Sequence, residues 1–100
     1  MLEFRGKRAT APTAAEAEEI AIRALGFLAA EPDRLARFLA LSGLAPESLR
    51  EMAGTPAFQA AVMDHLIGDE SMLLVFADEA RLPPERIAAA AALLSGGNGD

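Results

Sequence analysis

Proline and glycine cut this chain at intervals that leave room only for short helices. Proline favours the first position of a helix, where its missing N–H is not needed. Glycine favours the position just past a helix end. Here Pro32, Pro46, Pro56 and the pair Pro83-Pro84 alternate with Gly43, Gly54, Gly68 and Gly96. Between these marks the apolar residues recur at helical spacing and never alternate as in a strand. Ile, Val and Thr, the residues that fit strands best, are few. The expected fold is all-α: a compact, irregular (orthogonal) bundle of five to six short helices with no sheet.

Local signals set the boundaries. Thr13 and Glu16 form a capping-box pattern that starts a first helix, running to residue 29 or 30. Its apolar stripe is Ala17, Ile20, Ala21, Ala24, Leu25, Phe27 and Leu28, and Gly26 within it allows a close helix crossing. Glu19 and Arg23 are four apart on the outer side, in the favourable order. A second helix starts at Pro32 or Asp33 and stops before Gly43, with Leu35, Phe38, Leu39 and Leu41 inward. A third covers residues 46–53, with Leu49 and Met52 inward. Thr55 and Pro56 open a fourth that ends at Gly68, with Phe58, Ala61, Val62, His65 and Leu66 along its stripe. Asp69 caps a fifth and Glu70 suits the positive end of its dipole. A sixth runs from Pro84 to Leu94, with Ile87, Ala91 and Leu94 inward.

Residues 72–76 read Met-Leu-Leu-Val-Phe. Five consecutive apolar residues cover every side of a helix, so that helix is either central or turns one side toward a partner. Residues 13–95 are expected to form one domain, between a flexible segment at 1–12 and a flexible tail at 96–100.

Composition then narrows the chemistry. Hydrophobic residues make up 52% of the 100 positions, but 23 of them are alanine, leaving 29 larger apolar side chains for a single small core. Cys, Trp and Tyr are absent and His65 is the one histidine. Without cysteine there is no disulfide, no thiolate nucleophile and no cysteine zinc site. Asp64 and His65 are neighbours that point about 100° apart on a helix, and Gly68 separates them from Asp69. That spacing is no zinc signature. The expected role of His65 is a boundary side chain hydrogen-bonded to the cap of the fifth helix. A small enzyme or ligand- or metal-binding protein using His65 with Asp64 or Asp69 is the competing reading.

The hydroxyls are few. Thr13, Thr55 and Ser71 are explained by helix starts, and Ser42 and Ser95 precede terminal glycines. No strand-turn-helix elbow presents a nucleophile. No catalytic residue, metal ligand or cofactor is assigned.

The formal charge is −6. The first ten residues carry a small positive excess, so the rest is more acidic still. An acidic body repels nucleic acid, whose binding depends on neutralising phosphates. The second and third helices resemble a helix-turn-helix, but the third would bring Glu47, Ser48, Arg50 and Glu51 to the groove, a poor recognition surface. Neither nucleic acid nor membrane is an expected partner. No secretory h-region and no membrane-length apolar run occur, which points to the cytoplasm. Arg34, Arg37 and Arg50 either meet an acidic partner or pair with Glu31, Glu47 and Glu51 on their own surface. The candidate partner surface is Arg34, Arg37, His65, Asp69 and Glu70, and the partner is another protein or a second copy of the chain.

Two stretches carry a family likeness. Residues 24–39 read Ala-Leu-Gly-Phe-Leu-Ala-Ala-Glu-Pro-Asp-Arg-Leu-Ala-Arg-Phe-Leu, and residues 42–50 read Ser-Gly-Leu-Ala-Pro-Glu-Ser-Leu-Arg. Further on come Phe58, then Val62-Met63-Asp64-His65-Leu66, Asp69-Glu70-Ser71 and Leu73-Leu74-Val75-Phe76. Together they resemble the small helical alphaproteobacterial proteins of the domain of unknown function 3572 family, over residues 16–94. The resemblance implies a soluble, bacterial, all-helical protein and assigns no activity, cofactor or site. From the residues themselves the leading expectation is a protein-interaction or adaptor module without catalysis.

Overall fold

The first helix begins where its capping box puts it. In the computed structural model, which describes residues 12–96, α1 spans Ala14–Ala29. The Thr13 N–H donates to Glu16 Oε1 at 3.0 Å, and the Glu16 N–H donates to Thr13 Oγ1 at 3.1 Å. Two backbone donors that the helix itself cannot satisfy are thereby paired. α2 follows at Pro32–Ser42 and closes on Gly43, whose φ of 74° is the left-handed conformation glycine adopts without strain. A 3-10 turn over Pro46–Ser48 leads into α3, a single turn at Leu49–Met52. α4 is Pro56–Ile67, with Thr55 Oγ1 accepting the Phe58 N–H. α5 is Glu70–Ala80, capped by Asp69, and α6 is Pro84–Leu94. There is no strand among the described residues. The expected flexible ends at 1–12 and 96–100 lie outside the described residues, apart from Pro12, which is buried, and Gly96.

α1, α4 and α6 pack against one another and form the centre, with α2 and α5 laid on it. Alanine makes this possible. Ala17, Ala21 and Ala24 on α1 and Ala90 and Ala91 on α6 are buried. Methyl-sized side chains at three- and four-residue spacing bring backbones close together. Larger residues fill the remaining space. Phe27 meets Phe76 at 5.3 Å between ring centroids, and Phe38 meets Phe58 edge-on at 5.8 Å. The buried polar Gln59 donates from its side-chain nitrogen to the Ala53 carbonyl.

Several expectations are corrected. Gly26 is exposed and a β-carbon there would meet nothing within 4 Å, so no helix crosses at that point. Leu41 is 69% exposed. The inward stripe of α2 is the half-buried Leu35 with the buried Phe38 and Leu39, at i, i+3 and i+4, and Leu41 stands about 120° away from its start. The third helix is a 3-10 turn followed by a single α turn, because Pro46 starts the segment and Gly54 ends it before a second α turn can form. Arg23 does not pair with Glu19 but donates to the Ala80 carbonyl at 3.0 Å, tying α1 to the end of α5. α1 and α6 are joined by the ion pair of Glu16 with Arg86, 3.1 Å apart. No helix among the described residues is long and apolar enough to cross a membrane.

Candidate interaction surface

The last turn of α4 carries His65, and α2 runs beside it. The imidazole lies edge-on to the Phe38 ring, centroids 5.1 Å apart. This contact replaces the expected hydrogen bond to the cap of α5. Asp69 instead uses its carboxylate on its own helix, with Oδ1 accepting the Met72 N–H at 3.1 Å. The half-buried ring has its pKa lowered from 6.5, first by loss of water around it, then by the nearby Arg37 guanidinium. Asp69 pulls the other way.

These groups line one groove of about 480 Å³, with Arg37 and Leu41 on one wall and Asp64, His65, Asp69, Glu70 and Ser71 on the other. Of the five residues singled out as a partner surface, the fold thus brings together Arg37, His65, Asp69 and Glu70. Arg34 is elsewhere. Its guanidinium carbon lies 4.0 Å above the Phe27 ring, and Nη1 donates to the Phe27 carbonyl at 3.2 Å. Stacking and hydrogen bonding commit Arg34 to holding α2 on α1. Arg37 and Arg50 make no ion pair among the described residues, so the expected pairs with Glu31, Glu47 and Glu51 do not form.

A metal or nucleophilic centre would need groups to converge. Among the described residues no three metal-ligating side chains come together. Ser71 caps nothing; it is exposed in the first turn of α5. Ser42 donates its hydroxyl to the Phe38 carbonyl at 2.7 Å. As for a helix-turn-helix, α3 is one turn, about 6 Å long, and offers no recognition helix of that kind.

A second groove, of about 640 Å³, lies where α5 turns into α6, between Leu74, Ala77, Asp78 and Arg81 on one side and Leu82, Pro83 and Pro84 on the other. Sequence reasoning marked residues 72–76 and missed this groove. The signal was Arg81-Leu82-Pro83-Pro84, a helix stop made without glycine. Arg81 ends α5 at φ 60°, ψ 44°, in the left-handed region. The apolar run itself is divided. Phe76 is buried, Met72 and Leu73 are half-buried, and Leu74 and Val75 are 49% and 43% exposed. α5 is therefore peripheral, not central, and one side of it is open.

An all-helical domain in which α5 lines both of these grooves is the class that fold and site define. The chain belongs to the family described as "Protein of unknown function (DUF3572)", whose model matches residues 14–97. Comparison with curated proteins and with solved structures gave no significant match.

Proposed function

We propose that this protein works by binding another protein chain through the outer side of α5, without catalysis of its own. The observation that carries the reading is the exposure of Leu74 and Val75 in the middle of a five-residue apolar run. Large apolar side chains grouped on one helix side, with a groove at either end, suit protein recognition. The scarcity of nucleophiles, and a single imidazole packed on Phe38, support the absence of chemistry. In this reading the protein works in the cytoplasm.

The test is capture of partners from a host lysate, combined with solution mass. Leu74→Glu should abolish whatever association the wild-type chain shows. His65→Ala should leave it largely intact, whereas a histidine-dependent activity would be lost. A wild-type chain that is strictly monomeric and returns no reproducible partner refutes the reading.

A further inference from the structure

The open side of α5 carries its own complement. Glu70, Leu74, Asp78 and Arg81 follow one another at spacings of four, four and three residues, which places them on one stripe of the helix. Leu74 is in the middle. Glu70 and Arg81 mark the ends, about 16 Å apart along the axis. Neither the Glu70 carboxylate nor the Arg81 guanidinium has a hydrogen bond or ion pair among the described residues. The stripe therefore presents a negative charge at one end, the apolar Leu74 in the middle, and at the other end the Asp78 carboxylate followed by the positive Arg81.

Resting on the reading above, we propose that the partner of this stripe is the same stripe on a second copy of the chain, with the two α5 helices antiparallel about a two-fold axis. An isologous contact requires a patch that complements itself. With the axis between Val75 and Phe76, Glu70 of each copy faces Arg81 of the other, and the two exposed Leu74 side chains lie on either side of the axis. The hydroxyl of Ser71, which caps nothing, comes beside the Asp78 carboxylate of the other copy and can donate to it. Antiparallel helices also set opposite dipole ends side by side. A uniformly basic or uniformly acidic partner would leave one end of the stripe facing a like charge, which the second copy avoids.

The backbone at Arg81 supports the assignment independently. It is the single non-glycine among the described residues with positive φ. Glycine would end the helix there without strain, as Gly43 does for α2. Arginine holds the strained conformation at the spot where the pairing needs a cation, and strain of this kind gathers at functional positions.

The experiment is solution mass against concentration for the full chain, by sedimentation or light scattering. Wild type is expected to reach the mass of two chains. Glu70→Arg and Arg81→Glu should each weaken association by about tenfold or more, since each replaces two attractions with two repulsions. An equimolar mixture of the two variants should pair as wild type does, because every mismatched charge then meets an opposite one. Arg81→Gly keeps the left-handed turn and should also weaken pairing, with an unfolding midpoint unchanged or raised. A monomer throughout overturns self-pairing, and so does a dimer indifferent to Arg81→Gly or a mixture that fails to pair. A wild-type monomer that still captures a host protein, lost on Leu74→Glu, overturns self-pairing alone; a monomer with no captured partner overturns the broader reading as well.

Discussion

The division of residues 72–76 gives a sharp test of the packing, because two neighbours in one run should respond in opposite ways. Phe76 is 3% exposed and its ring lies 5.3 Å from that of Phe27. Truncation to alanine removes most of a phenyl group from a dry site. At about 25 cal/mol per Å², the ~120 Å² of lost apolar burial is worth about 3 kcal/mol. Loss of the ring pair adds about 0.5–1.5 kcal/mol. The sum agrees with the roughly 3–5 kcal/mol typical of buried phenylalanine. Against a total stability of about 5–15 kcal/mol, that is a large fraction. In urea, with a slope of about 2 kcal/mol per molar, the midpoint should fall by roughly 2 M. Val75 is 43% exposed, and Val75→Thr should change stability by less than about 0.5 kcal/mol. The chain has no Trp or Tyr, so far-ultraviolet circular dichroism is the suitable probe, used on dilute protein so that association does not contribute. If Phe76→Ala shifts the midpoint no more than Val75→Thr does, α5 is not anchored as described.

Gly26→Ala should raise stability by about 0.5–1 kcal/mol, since a β-carbon there meets nothing and the unfolded chain loses freedom; the thermal midpoint reads it, and a fall would place a helix against that position. Thr13→Ala removes the capping box of α1 and should cost about 1 kcal/mol by the same measurement, with no loss pointing to a frayed first turn. His65 gives a pH dependence whose sign follows from its lowered pKa. The unfolded chain takes up the proton first as pH falls, so the contribution of this group is complete above about 6.5 and is lost as pH drops from there through the folded value. The stability difference between wild type and His65→Gln should therefore shift against wild type between pH 8 and pH 5.5, and a shift in its favour would mean that Asp69 outweighs burial and Arg37.

Features that depend on three or four consecutive residues were legible in the sequence. Thr13, Thr55 and Asp69 cap their helices as expected, because a cap is a bond between a side chain and an N–H three residues on. Gly43 terminates α2 in the conformation its type predicts. Leu41 was misassigned by counting apolar residues and not following their angles around the helix. The groove beside His65 was not legible at all as a groove. Arg37 reaches it from α2 and Asp69 from the start of α5, and their meeting depends on how α2 lies across α4. Likewise the capture of Arg34 by the Phe27 ring needs the turn between α1 and α2, which no periodicity reports.

The placement of α5 follows from side-chain size more than from hydrophobicity. A domain of this length has room for few helices at its centre, since most of its elements must touch the surface. α1 and α6 approach through Ala17, Ala21, Ala24, Ala90 and Ala91, where little lies between the backbones. A helix carrying Met72, Leu73, Leu74, Val75 and Phe76 on every side would force its neighbours apart all round and leave gaps that alanine faces cannot fill. Such a helix reaches a dense packing only at the edge, turning Phe76 and Ala77 inward. Once it lies there, Leu74 and Val75 must face outward, because five successive positions span more than one full turn. The exposed apolar pair Leu74 and Val75 is thus a geometric consequence of placing an all-apolar run beside an alanine-built centre.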